Sequence, residues 1–306
     1  MTRTITIAIP SYRRPESLAL ALDGIAVAIH ALGDAAVAEV LVVDNDPERS
    51  ALPVVAHRHV RYVSEPAPGL AAVRNRALDE AAGSELLVFL DDDEEPEPDW
   101  LLQLLRTLDA TGADAVAGKV ITPLPADLDP WLTAVGAFVR PRRVDGQVMP
   151  QAATNNLLLR LQAVRDAGVR FDERFGLSGG EDNLFTLQFT RAGRVIRWSE
   201  LAVVRENVVP SRIDRGWILM RAYRTGNSSA RVNLALARSP AGRVVARARD
   251  LVGGSLRIAQ GAARWLAGVL TGSLRRRALG VRGIHRGAGY VSGAVGTTFR
   301  EYRRKQ

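Results

Sequence analysis

Apolar positions along the N-terminal part of the chain switch repeatedly between the two-residue period of a strand and the three-to-four-residue period of a helix. Thr4 to Ile9 alternates threonine with β-branched residues and reads as a strand. Ser11 to Pro15 breaks it, and Pro15 stands where the first turn of a helix tolerates proline, so a helix follows from about Glu16 to Leu32. Val40 to Val43 is a second strand running into Asp44-Asn45-Asp46-Pro47, and Val60 to Val63 is a short third. Gly69 to Ala82 places Leu70, Val73, Ala77 and Leu78 on one helical stripe. Glu85 to Leu90, five apolar residues behind one acid, has the composition of a strand buried on both faces. Strands thus alternate with helices over the first 110 residues, which predicts an α/β fold with a mostly parallel, Rossmann-like sheet and helices on both faces.

Further along, Pro98-Asp99-Trp100 opens a helix to about Leu108 and Ala115 to Ile121 is another strand. Pro123 to Pro150, rich in Pro, Gly and Arg and holding Trp131 and Phe138, reads as an excursion of loops and short pieces. Asn155 to Arg160 is a candidate strand, Leu161 to Ala167 a short helix, and Phe171 to Gly180 a loop. Glu181 to Ala192 is a helix, followed by short strands at Val195 to Trp198 and Ala202 to Val204. Helical pattern returns at Gly216 to Arg224 and Ala230 to Arg238.

Charge at the end of the Glu85 to Leu90 strand changes this picture from architecture to chemistry. Asp91-Asp92-Asp93 follows at once, and ligands of parallel sheets gather at the carboxyl ends of strands. Three adjoining carboxylates repel one another and call for a cation; hard ions such as Mg2+ and Mn2+ take oxygen ligands, typically one or two carboxylates plus substrate phosphates. The competing reading is a solvated acidic loop continued by Glu94, Glu95, Glu97 and Asp99.

A second cluster, Gly179-Gly180-Glu181-Asp182, puts two glycines before two carboxylates in the first turn of a helix, where the dipole favours the ionised form. Adjacent helical residues project about 100 degrees apart, so one acid at most aims at a given hydroxyl. Asp182 is the candidate general base, with Glu181 turned toward neighbouring structure or a second hydroxyl; the alternative is a pair of acids complementing the dipole. In the turn after strand one, Pro10-Ser11-Tyr12-Arg13-Arg14, a ring suited to stacking on a base lies beside guanidiniums suited to a diphosphate. Asp44 is placed to accept from a base N–H, or to serve as a turn residue. Arg74, Asn75 and Arg76 lie on the helix after Gly69, where a polar face is the simpler reading.

The chain has 306 residues and 47% hydrophobic composition, enough for one large α/β domain with an appendage or for two domains. No cysteine is present, so any chemistry rests on oxygen and nitrogen groups. The strand pattern begins within four residues of Met1, leaving no room for a secretory segment, and no run approaches the roughly 18 to 20 uninterrupted apolar residues of a spanning helix. A cytoplasmic location is expected. Residues 241–306 carry fourteen basic against two acidic residues, a charge of +12 that leaves −4 for residues 1–240 out of the chain's +8. That arm interleaves Arg with apolar residues, and Arg257 and Arg264 are seven apart on one helical face. An amphipathic helix on an anionic membrane surface is expected there, against a solvated tail or a helix packed on the body; nucleic acid is not expected, since no recognition motif accompanies the charge.

TIAIPSYRRPESL, VLVVDNDP, PGLAAVRNRAL, LLVFLDDDEEPEPDWL and GGEDNLFTLQFTRAG, in this order over about residues 4–198, resemble family 2 glycosyltransferases of the GT-A fold. The resemblance implies an inverting, metal-dependent transfer of a sugar from a nucleotide-sugar donor, UDP-linked by expectation, to a glycan or lipid-linked acceptor. It maps a DxD-type motif for Mg2+ or Mn2+ onto Asp91 and Asp93, with Asp92 near the ribose or metal, and the base onto Asp182, with Glu181 and Gly180 on the acceptor side. The nucleotide pocket maps onto Pro10, Tyr12, Arg14, Asp44, Arg74 and Asn75. A catalytic domain over 1–210 and a helical, basic region over 211–306 follow from it. The stretch Arg215 to Gly226 and the glycine-rich tail resemble the succinoglycan-type branch of exopolysaccharide assembly. Many relatives carry a His some twenty residues past the acidic pair, where this chain has Arg205-Glu206-Asn207; the resemblance then implies either weaker metal binding or Arg205 as a substitute partner for the diphosphate. A nucleotidyltransferase would want glycines between Ser11 and Glu16, which are absent, and a non-catalytic scaffold would not need Asp91, Asp93 and Asp182.

Overall fold

The structure, a computed structural model, describes residues 3–299. In chain order the elements are β1 (Thr4–Ser11), α1 (Pro15–Leu32), β2 (Val37–Asp44), α2 (Leu52–Val55), β3 (Arg61–Ser64), α3 (Leu70–Glu80), β4 (Leu86–Leu90), β5 (Glu94–Pro96), α4 (Trp100–Thr111) and β6 (Ala115–Ile121). There follow α5 (Pro130–Val135), β7 (Val148–Met149), β8 (Asn156–Arg160), α6 (Leu161–Ala167), α7 (Glu181–Arg191), β9 (Ile196–Glu206), α8 (Arg215–Ala235), α9 (Pro240–Leu270) and α10 (Leu274–Ala294). These fall into two compact units, one built from the chain up to Pro123 with Arg140–Gly176 and Glu181–Asn207, the other from Leu124–Val139, Leu177–Gly180 and the chain from Val208 onward.

All strands of the described residues lie in the first unit and form one sheet in the order β3-β2-β1-β4-β8-β6-β9-β5, with β7 on β9. The first four strands are mutually parallel, β8 runs antiparallel to both neighbours, and β6 and β9 are parallel again. This is the mixed, mostly parallel α/β sheet that the strand and helix alternation predicts. Two-residue periodicity divides the strand side chains between two cores. Ile5, Ile7, Ile9, Leu86, Val88 and Leu90 pack under α1 and α4, whereas Ala8, Leu87 and Phe89 pack under α3, α6 and α7. Pairing of β1 with β4 ends at Ala8 and Phe89, while β1 continues beside β2 to Ser11. Pro10, which has no N–H to give, therefore sits where one side of β1 has run out of ladder.

Several elements differ from the sequence expectation. Glu94–Pro96, read as part of an acidic loop, is a strand because β9 reaches it: Glu94 pairs with Glu206 and Pro96 with Val204. The two short strands after α7 are one, β9, whose register shifts between Gly118 and Lys119 of its partner β6. The excursion after β6 contains α5, capped by Asp129, and β7. α1 is long and apolar enough to cross a membrane by length and mean composition, although Glu16, Asp23 and His30 interrupt its apolar run; its Leu18, Leu22, Ile25 and Leu32 are buried in the core beneath the sheet.

In the second unit α8, α9 and α10 pack through glycine. Gly254, Gly261 and Gly268 recur every seventh residue of α9, and a Cβ on Gly261 would lie 2.7 Å from the Gly280 carbonyl of α10. A Cβ on Gly287 would lie 2.6 Å from the Gly254 carbonyl. On the opposite side of α10, a Cβ on Gly289 would overlap the Tyr223 carbonyl of α8, and one on Gly226 would overlap the Arg286 carbonyl. Each glycine costs roughly 1 kcal/mol of helix propensity against alanine, which close backbone approach offsets. Polar ties accompany it: Tyr223 Oη donates to Ser292 Oγ at 2.7 Å, and Asn233 Nδ2 donates to both oxygens of Asp250 at 3.0 Å. The basic arm is thus two long helices, not a solvated tail. Its last residues, Arg300, Arg303, Arg304 and Lys305 among them, lie outside the described residues.

Candidate active site

The acidic trio leaves the tip of β4 where the parallel half of the sheet ends. Asp92 turns inward and is 5% exposed; Ser11 Oγ donates to its Oδ2 at 3.1 Å, the Tyr12 N–H at 3.4 Å, and Arg14 Nη1 to its Oδ1 at 3.0 Å. The same Arg14 nitrogen donates to Asp93 Oδ2 at 2.7 Å. The turn after β1 is therefore clamped to the acidic trio by its own predicted site residues. Ser11 was not singled out from the sequence, although its place beside Tyr12 at the strand end was the available signal. Arg13, in the left-handed region at φ 53°, points the other way, donating to Asp46 Oδ1 at 3.0 Å with its guanidinium 5.4 Å from the Tyr12 ring centroid.

Burial pushes the Asp91 carboxyl up to about 6, with Arg74 opposing and Asp93 and Asp182 adding to the rise. Burial likewise pushes Asp92 up to about 7 against the pull of Arg14. Glu94, buried on β5, is raised well above the usual range by burial and then by Asp91 and Asp93. Asn155 Nδ2 donates to its Oε1 at 2.5 Å, and its Oε2 has no hydrogen-bond partner among the described residues. The solvated-loop alternative would leave Glu94 exposed; the pairing that buries it comes from β9, more than a hundred residues away.

Arg74 joins this cluster to the second one. It lies on α3 but is 4% exposed; Nη1 donates to Glu181 Oε1 at 2.5 Å and Nη2 stands 3.5 Å from Asp91 Oδ1. Its guanidinium carbon is 5.8 Å from the Phe171 ring centroid, and Phe171 stacks on Phe185 of α7 at 4.1 Å. Glu181 is buried, which raises its carboxyl to about 7 despite Arg74. Asp182, the next residue, is half-buried: its Oδ1 accepts from the Asn183 N–H at 2.7 Å, and Oδ2 has no hydrogen-bond partner among the described residues. Its charge is felt at Arg74, Asp91 and Glu181 alike. Gly179 and Gly180, at φ 74° and 97°, supply the left-handed turn that leads the chain into α7.

Other predicted site residues serve the loops. Asp44 is buried, accepting from the Asp46 N–H at 2.9 Å, the Ala51 N–H at 3.0 Å and Tyr62 Oη at 3.2 Å, and so organises the loop after β2. Asn75 exchanges two hydrogen bonds with the Phe171 backbone, at 2.9 and 3.0 Å. Arg76 pairs with Glu80 along α3, as a polar face requires. Arg205 Nε donates to Glu97 at 2.6 Å, and its side chain is otherwise half exposed. Asn45, missed in the sequence, donates to the Glu65 and Ala67 carbonyls at 2.7 Å and accepts from Gly69 N at 3.0 Å, stitching the loop that precedes α3.

Among the described residues no group of three or more His, Cys, Asp or Glu converges as a ready metal cradle. The donor set nevertheless fits a hard divalent ion that draws most of its ligands from phosphate and water. Asp91 and Asp93 are carboxylates at one strand end, and Asp91 and Asp92 hold raised proton affinity in a cluster where Arg14 and Arg74 face six acids.

A family model, "Glycosyl transferase family 2", matches residues 6–167, just over half of the chain. The succinoglycan biosynthesis protein ExoM of Rhizobium meliloti is 36% identical over 239 residues, 76% of this chain and 75% of that protein. The glycosyltransferase AglE of Haloferax volcanii is 27% identical over 122 residues, 39% of its length. Among solved structures, S. aureus TarS superposes with a TM-score of 0.53 at 16% identity, and this chain spans about half of that chain (55%). TarS 1-349 has been solved with UDP and with UDP-GlcNAc, at TM-scores of 0.53 and 0.51, with 90% and 93% of those chains covered. At such identities these structures speak for the GT-A fold alone, whereas the family match and the ExoM identity extend to kinship. This chain belongs to glycosyl transferase family 2 and is a glycosyltransferase.

Proposed function

We propose that the protein transfers a sugar from a UDP-linked donor to a hydroxyl of a glycan or lipid-linked acceptor by a single inverting displacement, in the assembly of a cell-surface polysaccharide. The observation that carries this reading is Arg74, whose one guanidinium touches both the acidic trio after β4 and the acidic pair opening α7. A donor diphosphate held at the trio and an acceptor hydroxyl at Asp182 then lie on two sides of one reacting carbon.

In this reading Asp182 Oδ2 takes the proton of the acceptor hydroxyl as its oxygen bonds to the anomeric carbon. The bond from that carbon to the diphosphate breaks, and the nucleoside diphosphate departs with the electron pair. Asp91 and Asp93 would hold a Mg2+ or Mn2+ ion, which when bound supplies positive charge toward the diphosphate. Asp92 fixes the turn carrying Tyr12 and Arg14, the ring for stacking on the base and the cation for offsetting donor charge. Asp44 and Asn75 act through the loops they hold, and Glu181 with Gly180 sets the direction in which α7 presents Asp182.

Support for the exopolysaccharide assignment comes from the similarity to ExoM, and for a UDP-linked donor from TarS. A thermal-shift screen of nucleoside diphosphates and their sugars, with and without Mn2+, tests the reading. Uridine compounds should raise the melting temperature, more so with Mn2+; a response confined to another nucleotide, or none, would overturn the donor assignment.

A further inference from the structure

The long helix α9 has two faces of opposite character. Toward α10 it turns Gly254, Gly261 and Gly268, all buried, and toward α8 the buried Asp250. At 100 degrees per residue the opposite face carries Ala241, Val245, Ala248, Val252, Leu256, Ala259, Ala263, Leu266 and Leu270. Every residue of that stripe is apolar and every one is exposed, with Val245, Val252, Leu256, Leu266 and Leu270 between 53% and 78% open to solvent. At about 1.5 Å per residue the stripe runs roughly 45 Å. An unbroken apolar stripe of that length is far more than the scattered exposed leucines of an ordinary surface.

Its charge surroundings select the occupant. α9 and α10 together carry ten arginines and one acid, Asp250, which is buried and paired with Asn233. Arg249 borders the stripe, seven residues before Leu256, whereas Arg243 and Arg247 fall on the glycine side of α9; these three and Arg275, Arg276, Arg277 and Arg286 are all exposed. A second copy docked stripe to stripe would bring arginine against arginine, and an apolar groove alone would leave the arginines unanswered. An anionic bilayer satisfies both features, taking the apolar stripe into the acyl boundary and Arg249 at the headgroups, while the remaining exposed guanidiniums add longer-range attraction to the surface. The five arginines of α9 and its glycine face, covered by α10, speak against a spanning helix.

We propose that α9 docks flat on an anionic membrane surface through its Val245–Val252–Leu256–Leu266–Leu270 stripe. The inference does not depend on the sugar-transfer chemistry. It also moves the contact from where the sequence placed it: Arg257, expected to mark the membrane face, lies 4.7 Å from the Tyr290 ring of α10 and donates to its own helix at Gly253, so it belongs to the packed side.

Flotation of the full-length protein with vesicles tests this. Wild type should float with phosphatidylcholine–phosphatidylglycerol vesicles and not with phosphatidylcholine alone. The V252D/L256D variant should lose at least about tenfold in partition, while keeping its melting temperature, because both positions are exposed. Failure of wild type to bind anionic vesicles, or equal binding by the variant, would overturn the proposal. So would light scattering that shows a dimer abolished by V252D/L256D, since the stripe would then be covered by another copy of the chain.

Discussion

Arg74 and Glu181, 107 positions apart in sequence, form a buried ion pair with 2.5 Å between Nη1 and Oε1. Each is 4% exposed at the side chain, and each keeps one polar atom, Arg74 Nε and Glu181 Oε2, without a hydrogen-bond partner among the described residues. A pair this buried contributes little to stability by itself, because desolvation cancels much of the attraction. Its value lies in fixing α3 and α7 relative to the acidic tip of β4. Removing one partner leaves the other charged and buried, so Arg74→Ala should cost about 3–5 kcal/mol in urea unfolding. The R74M/E181L double variant should recover most of that stability yet stay inactive, separating the pair's role in the site from its role in the fold. Recovery of activity along with stability would show that the pair has no part in the chemistry.

Acid titration of the site runs opposite to the usual carboxylate case. Asp91 at about 6 and Asp92 and Glu181 at about 7 keep their protons to higher pH in the folded than in the unfolded chain. The folded state therefore binds more protons between about pH 4 and pH 7, and stability from these groups, complete below that window, is lost as pH rises through it. Asp92→Asn should melt above wild type at pH 8, by about 4 °C or more, with the gap closing toward pH 4. Melting curves that stay parallel across this range would contradict the assignment.

Divalent ions should reverse that loss. A Mg2+ or Mn2+ ion at Asp91 and Asp93 competes with protons for the same oxygens, so its stabilising effect should be larger at pH 8 than at pH 5. Asp93→Ala should abolish the metal-dependent shift in melting temperature. An equal shift in that variant would remove Asp93 from the metal site.

Glycines of the helical unit separate into two kinds. Gly289→Ala drives a methyl group into the Tyr223 carbonyl and should destabilise by about 1–3 kcal/mol. Gly253→Ala meets only the end of the Arg257 side chain at 3.1 Å and should be neutral or stabilising by up to about 1 kcal/mol. Chemical unfolding of both variants checks the contrast, and similar losses at the two positions would contradict the glycine-mediated packing.

Features governed by neighbours in sequence were readable from the chain. The five-residue run of β4, the proline opening α1 and the stripe of α3 each follow from local period and composition, and the acidic trio stands where the strand pattern ends. What escaped depends on distant partners. Glu94 becomes a buried strand residue only because β9 returns beside it, and Asn75, read as a donor contact, is engaged by the Phe171 backbone across 96 residues. Gly226 splits α8 into two pieces on propensity alone; its closeness to Arg286 of α10 explains why the helix runs through it. Arg74 is expected to meet the donor, with a polar helical face as the alternative, and its burial depends on Glu181 far down the chain.

Asp182→Asn tests the central claim most directly, because it removes the proposed proton acceptor and leaves the Arg74 contacts with Glu181 and Asp91 in place. Donor affinity measured by titration should be unchanged, while single-turnover transfer to acceptor should fall by about 10² to 10⁴. Transfer at the wild-type rate would contradict the assignment of the base, and with it the union of the two acidic clusters in one reaction.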